Sequence, residues 1–234
     1  MTRLYLNCDL SAKQEIHLSQ DHSHYLAKVL RAEVGDKVSV FNERFGEWAA
    51  CIDKVTKKAV VIRVQDQKSS PRICSPLWLA FAPLKHEAMG FLIEKSTELG
   101  VTHLQPIVTD RCNTHRINLE RLQKNAVEAA QQCERHDIPS VLNPISLPDF
   151  LKDLPDRDWF VALERGCETP LSKSLQGSNW GFLIGPEGGF TEAEVKLLKN
   201  TSCLKPISLG PRILRAETAA LTVLAIAQGA KEFL

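Results

Sequence analysis

The chain has no long hydrophobic run, no strong charge of either sign and no paired-cysteine pattern, and each absence removes a class of protein. No apolar stretch reaches the roughly 18 to 20 residues that a helix needs to cross a bilayer. The start, Met1-Thr2-Arg3-Leu4-Tyr5-Leu6, lacks the apolar core of a secretory leader. The expectation is a cytoplasmic protein. Formal net charge is +1 over 234 residues, so a polybasic surface is excluded and any contact with nucleic acid must be a local patch. Residues 1–72 hold twelve Lys and Arg against nine Asp and Glu, and the remainder seventeen against nineteen, which leaves a small positive excess at the N-terminal end. The seven cysteines include no Cys-x-x-Cys pair, which argues for reduced, mostly buried thiols rather than a disulfide framework. His17, His22 and His24 lie close together, but no second cluster of ligands accompanies them, so no metal site is expected. Internal repeats and low-complexity tracts are also missing.

At 44% hydrophobic and 24% charged residues the composition excludes a disordered or fibrous chain, and the pattern changes once along its length. Up to about residue 68, short extended runs rich in β-branched residues dominate, such as Lys37-Val38-Ser39-Val40-Phe41 and Ala59-Val60-Val61-Ile62-Arg63-Val64. One helix interrupts them from Asp21 to Ala32, with Tyr25, Leu26, Val29 and Leu30 at helical spacing and Gly35-Asp36 ending it. This predicts a small β-barrel, followed by a linker at Gln67-Lys68-Ser69-Ser70-Pro71-Arg72. Beyond it apolar strands alternate with helices, the pattern of an α/β domain on a mainly parallel sheet. Strands are expected at Leu77–Ala82, Val101–Val108, Trp159–Glu164, Gly181–Ile184 and Pro206–Leu209, and helices at His86–Leu99, Leu119–His136, Glu192–Asn200 and Glu217–Lys231. Asn118 is the expected N-cap of the second helix, and Thr191-Glu192-Ala193-Glu194 has the form of a capping box. The last helix is apolar almost all round, so it must pack on the sheet or on a second subunit.

Two segments carry the chemistry. Strand Gly181–Ile184 runs into Gly185-Pro186-Glu187-Gly188-Gly189-Phe190 and then into the capped helix. Glycines let a backbone approach a ligand closely, and ligands of open α/β sheets bind beyond the carboxyl ends of strands. The plain alternative is a tight strand-to-helix turn with no ligand. The run is neither a Walker loop nor the Gly-x-Gly-x-x-Gly dinucleotide fingerprint. The second segment, Leu209-Gly210-Pro211-Arg212-Ile213-Leu214-Arg215-Ala216-Glu217-Thr218, again leaves a strand through Gly-Pro and enters a helix. Unpaired charge at a buried helix start is costly. Its arginines and glutamate therefore either serve chemistry or form a structural pair between Arg215 and Glu217.

Together these segments resemble the SPOUT class of methyltransferases and, within it, the RsmE family, whose members methylate N3 of a uridine in small-subunit ribosomal RNA. The resemblance runs over nearly the whole chain. Tyr25-Leu26-Ala27-Lys28-Val29-Leu30-Arg31 with Gly35-Asp36 is similar to the family's PUA-like barrel. Glu94-Lys95-Ser96-Thr97-Glu98-Leu99-Gly100-Val101, the Glu128–Arg135 stretch, Ile184–Phe190 and Leu209–Thr218 are similar to its other signatures, in the same order. Ser96 stands where the family usually has alanine, and Asn42-Glu43-Arg44-Phe45-Gly46 replaces the more common Asp-Gly-Gly turn. The resemblance implies a PUA-like, RNA-binding β-barrel over residues 1–70 and a SPOUT α/β methyltransferase domain with a trefoil knot over residues 73–234. It also implies S-adenosylmethionine as cofactor, a homodimer, and small-subunit ribosomal RNA, in an assembled or assembling subunit, as partner. Residues Leu163, Glu164, Gly185, Pro186, Glu187, Gly188, Leu209, Gly210, Ile213, Leu214 and Thr218 are then expected to grip the cofactor, chiefly through main-chain groups and an apolar slot.

Uracil N3 carries a proton and attacks poorly until it leaves, whereas a methyl group on a sulfonium is already activated. Such an enzyme must align the two, favour the deprotonated base and exclude water. Alignment can supply on the order of 7 to 11 kcal/mol and a positioned base roughly 10²- to 10⁴-fold in rate, so alignment is the larger contribution. Arg215 is the expected catalytic residue, stabilising the negative uracil oxygen. The proton acceptor stays open between Glu187, Glu217 and solvent. On helix Leu119–His136 the polar face of Arg121, Asn125, Glu128, Gln132 and Arg135 is either a solvated surface or, with Arg111 and Arg116 upstream, a phosphate-binding stripe. Arg3, Lys28 and Arg31 are the candidate RNA contacts on the barrel, and a looped-out base would give specificity. Two other readings compete. A non-catalytic RNA-binding assembly factor is disfavoured by intact glycines in both loops, and a phosphate-binding hydrolase by the missing lysine and acidic metal pair.

Overall fold

The computed structural model describes residues 1–56, 59–72, 74–112, 117–163 and 169–231. Its contacts group the chain into two units, Met1–Ile73 with Ala130–Ile138, and Cys74–Ala129 with Pro139–Leu234.

In the first unit β1 (Arg3–Tyr5), β2 (Glu15–His17), β3 (Lys37–Asn42), β4 (Gly46–Val55) and β5 (Val60–Ser69) pair in the order β1-β3-β4-β5-β2. β1 lies parallel to β3, and the other pairings are antiparallel. Alternation sends Val38, Val40, Val60, Ile62 and Val64 into one core with Leu4, Leu26 and Ile52. Each such side chain contributes about 1.5 to 3 kcal/mol. β5 continues to Ser69, pairing Gln67 with Trp48 and Ser69 with Glu47, so the first half of the expected linker is strand. The β3–β4 turn, which lacks the usual paired glycines, is built by Asn42. Its Oδ1 accepts from the N–H groups of Arg44 and Phe45 at 3.1 and 2.9 Å, and its Nδ2 donates to the carbonyls of Leu6 and Cys8. α1 (Gln20–His24), capped by Ser19, passes into a π-helical turn over Tyr25–Val29 and ends before Arg31 at φ 54. The expected helix to Ala32 is therefore shorter and wider. It leaves Tyr25, Val29 and Leu30 exposed and keeps Leu26 in the core.

The second unit alternates β6 (Leu77–Phe81), α2 (His86–Glu98), β7 (His103–Val108), α3 (Leu119–Gln132), β8 (Ser140–Val141), β9 (Ile145–Ser146), α4 (Leu147–Lys152), β10 (Asp158–Ala162), α5 (Leu171–Ser174), β11 (Trp180–Ile184), α6 (Glu192–Asn200), β12 (Leu204–Ile207) and α7 (Ala216–Lys231). Its strands are parallel in the order β12-β10-β11-β6-β7-β8, with β9 also beside β7. β10, β6 and β11 are apolar runs because both faces are covered; Leu79, Phe160, Phe182 and Leu183 are fully buried. The expected N-cap of α3 is present, Asn118 Oδ1 accepting from Arg121 N–H at 3.0 Å. So is the capping box of α6. Ser96 on α2 is fully buried, and its hydroxyl meets no hydrogen-bond partner among the described residues. Restoring the family's usual residue with Ser96→Ala should raise the unfolding free energy by about 1 kcal/mol, since it removes an unsatisfied buried group and improves helix propensity. Urea denaturation measures this, and a loss of stability would show that the hydroxyl is satisfied.

α3 stops short of the expected His136 because Glu134 turns at φ 63, and its end from Ala130, with the residues up to Ile138, belongs to the first unit. There Arg3 donates to the carbonyls of Ala130 and Gln131 at 3.2 and 3.0 Å and pairs with Glu47 at 2.9 Å. His136 is 4% exposed, with Nε2 3.3 Å from the Ser69 hydroxyl and Nδ1 unpartnered among the described residues. Burial first, and the Arg3 guanidinium second, hold its pKa below the ordinary value of 6.5. The unfolded chain binds this proton near 6.5 while the folded chain resists it, so stability is full above that pH and falls below it. Burial opposes the charge of Glu47, but hydrogen bonds from Ser39, Arg3 and Lys68 outweigh it, so its pKa is lowered and its contribution is lost only at more acid pH. Between about pH 7 and about pH 5.5 the denaturation midpoint of the native chain should therefore fall more than that of His136→Gln. Equal falls would rule the imidazole out as the source.

Candidate active site

Parallel pairing sets the carboxyl ends of three strands level: Val161 of β10 pairs with Leu183 of β11 and with Pro206 of β12, and Ala162 pairs with Ile207. The chain leaves them through Leu163, through Gly185-Pro186 and through Leu209-Gly210, and all three exits wall one cleft of about 740 Å³. That volume is ordinary for a small-molecule site. Leu163, Ile184, Leu209, Leu214 and Ala219 supply apolar surface, and the glycine backbone supplies the rest. In the first bend Gly189 N–H donates to the Pro186 carbonyl at 2.8 Å, with Gly189 at φ 68, a closed turn. Gly185 lies so near Phe190 that an added Cβ would come within 2.7 Å of the ring. At Gly188 the nearest atom to such a Cβ is 3.5 Å away, an ordinary contact, so internal packing does not demand glycine there.

The cleft brings together Leu163, Gly185, Pro186, Glu187, Gly188, Leu209, Gly210, Ile213, Leu214 and Arg215, all read from sequence as site residues. Glu164 lies outside the described residues. Thr218 does not line the cleft: Ala216 and Ala219 of α7 do, and the helical repeat turns Thr218 out to solvent. Arg215 is exposed on the cleft wall and forms no ion pair with Glu217 among the described residues, so the structural-pair alternative is not realised. Glu217 lies off the cleft with Oε2 buried and unpartnered among the described residues. Arg212 and Phe190, which belong to the two segments, also line the cleft, as do Lys85 and Val195, which lie outside them. Lys85 follows the end of β6 at the start of α2, so the strand-end rule extended to β6 would have found it.

Of the expected RNA contacts, Arg111 lines this same cleft, Arg121 is exposed on α3, and Lys28 and Arg31 are exposed in the first unit. Arg116 lies outside the described residues. Arg3 and Arg135 are corrected: their side chains are 7% and 9% exposed, Arg3 tied to Glu47 and main-chain carbonyls, Arg135 paired with Asp137 at 2.6 Å. Donors spent inside the fold are not presented to phosphate.

The profile of a family described as an RNA methyltransferase domain matches residues 71–228, and that of an RNA methyltransferase PUA domain matches residues 18–65. These define the class, an RNA methyltransferase with a PUA domain of its own. A relative from Rickettsia conorii named ribosomal RNA small subunit methyltransferase E is 37% identical over 95% of this chain and 93% of its own. The chain belongs to the ribosomal RNA small subunit methyltransferase E family. Two solved structures superpose over nearly their whole length. A Neisseria gonorrhoeae enzyme of this name, bound to S-adenosyl methionine, has a TM-score of 0.88 at 26% identity, covering 98% of each chain. A Legionella pneumophila protein described as a methyltransferase with bound SAM has a TM-score of 0.88 at 31% identity, covering 98% of this chain and 97% of its own.

Gly185 and Gly188 of the first bend should behave differently. Gly185→Ala is expected to lose about 1 to 3 kcal/mol by crowding Phe190, while Gly188→Ala stays within about 0.5 kcal/mol of the native chain. Denaturation of both variants checks this, and equal losses would refute a packing role for Gly185.

Proposed function

We propose that this protein methylates N3 of a uridine in small-subunit ribosomal RNA with S-adenosylmethionine. The observation that carries the reading is the meeting of both glycine–proline bends and Arg215 in one cleft. The residues present fit the cofactor: an apolar slot for adenine between Leu163, Leu209 and Leu214, and on the cleft wall a glycine, Gly188, that internal packing does not require. When bound, the cofactor supplies a methyl group already activated by its sulfonium charge. Gly185, Gly188 and Leu209 present main-chain groups that orient it, and the apolar walls exclude water. Arg215 faces the cleft with no competing carboxylate partner among the described residues, and in the proposed mechanism it holds the uracil oxygen as negative charge develops on N3 deprotonation. Glu187 lines the cleft and Glu217 does not, so the N3 proton passes to Glu187 or to water.

The finer organisation follows the family. Residues 1–70 serve as the RNA-binding unit and residues 73–234 as the catalytic unit, with Lys28, Arg31, Arg111 and Arg121 contacting RNA. The loops around the cleft are threaded as a trefoil knot, and two copies form a homodimer acting on an assembled or assembling subunit. The place of action is the cytoplasm; among the described residues no helix is long and apolar enough to cross a membrane.

Incubation with cofactor labelled in its methyl group and small subunits from a strain lacking the enzyme should label one uridine at N3. Arg215→Gln should lower kcat by about 10²- to 10³-fold while leaving cofactor affinity within a factor of about three. Label on protein or DNA, or calorimetry in which ATP binds and S-adenosylmethionine does not, would overturn the assignment.

A further inference from the structure

The loop after β7 reaches the glycine turn across an intervening strand, since β6 lies between β7 and β11. Asp110 N–H donates to Glu194 Oε1 at 2.9 Å, and Asp110 Oδ2 accepts from the Thr191 hydroxyl at 3.3 Å. Glu194, 7% exposed, uses its other oxygen to accept from Thr191 N–H at 2.8 Å. One residue further on, Arg111 Nη1 donates to the Gly188 carbonyl at 3.1 Å. The β11–α6 connection is thus gripped twice from outside, at its helix start by Asp110 and at the middle of its glycine turn by Arg111. The second grip is not a tightly packed one: Arg111 is exposed, and even a Cβ added at Gly188 would come no nearer its stem than 3.5 Å.

A guanidinium carries five N–H donors in a rigid fork. Among the described residues Gly188 alone accepts from that of Arg111, and the side chain lines the cleft beside the cofactor-gripping backbone. The outward edge of such a fork matches a phosphate, which it engages with two parallel hydrogen bonds. We propose that Arg111 is a positioning residue joining the two substrates: one edge fixes the glycine turn, the other takes a phosphate of the RNA, and RNA binding thereby tightens the grip on the cofactor. This rests on the methyl-transfer reading above. A phosphate on the outer edge removes the freedom of the guanidinium and so fixes the Gly188 carbonyl. By linkage the cofactor strengthens RNA binding by the same factor.

The test is the affinity of the full-length protein for S-adenosylhomocysteine, which cannot turn over, with and without saturating unmodified small subunits. The native chain should bind it about fivefold or more tightly with subunits present. In Arg111→Gln and Arg111→Lys this ratio should fall to about one, since lysine keeps the charge but cannot serve two acceptors in one plane. Rates should follow: at saturating RNA both variants lose kcat and raise the KM for cofactor together. If the variants weaken cofactor binding equally with and without subunits, Arg111 is merely structural and the proposal fails. If they weaken RNA binding alone and keep the ratio, Arg111 is merely a phosphate contact and it fails again. A native chain that binds cofactor without any ratio above one overturns the coupling, whereas one that binds no cofactor at all sinks the methyl-transfer reading instead. Arg111 is exposed, so both variants should fold, and Arg111→Lys carries the test if Arg111→Gln does not.

Discussion

The site depends on β10 having a parallel partner on each side. β11 and β12 are separated in sequence by all of α6, and each ends in its own glycine–proline bend; only their shared pairing with β10 brings those bends to the same end of the sheet. The register is fixed by packing. Trp159 pairs with Gly181, and a Cβ on Gly181 would come within 2.6 Å of the Trp159 ring, so the indole can lie across its neighbour only where the neighbour has no side chain. A slip of β11 by one residue would set Trp180 or Phe182 in place of Gly181 against the Trp159 ring and move one bend out of line with the other. The indole N–H groups of Trp159 and Trp180 are satisfied by the Pro155 and Gln176 carbonyls, which leaves no polar cost in burying them.

Charge is distributed around the cleft according to what desolvation permits. Its floor is made of strand ends, apolar side chains and glycine backbone, whereas Lys85, Arg111, Arg212 and Arg215 keep their heads exposed at the walls. Ions held at a wet rim avoid the several kcal/mol that full burial costs each of them. They become fully effective when a substrate covers them and lowers the local dielectric. The capping box of α6 fits the same logic, because Glu194 spends its buried carboxylate on two main-chain N–H groups rather than presenting it to the cleft.

Features that depend on a few neighbouring residues were legible in the sequence. The strand–turn–helix order, the two bends, the Asn118 cap and the Thr191–Glu194 capping box all follow from local periodicity and side-chain chemistry. Features set by distant contacts were not. Nothing near Arg3 reveals that its guanidinium is taken by carbonyls more than a hundred residues away, which is why a surface role looked reasonable. The π-helical turn at Tyr25–Val29 keeps the residue spacing of an α-helix in the sequence but not the face it presents. β8, β9 and α5 are too short to show any period. Thr218 lies in the same motif as Leu214 and Arg215, yet the turn of α7 that puts Ala216 and Ala219 on the cleft faces Thr218 to solvent.

The closure of the first unit by Ala130–Ile138 bears on how the chain is made. A ribosome releases the N-terminal strands long before it has polymerised the segment that receives Arg3 and buries His136 beside Ser69. Until then Arg3 and the carboxylate of Glu47 face water without their main-chain and imidazole neighbours, and that corner of the unit stays unfinished. Domains usually mature in order of synthesis. Here the core of the earliest one, drawn from Leu4 to Val64, is available early, while the corner at Arg3 is completed only once more than half of the polypeptide has emerged.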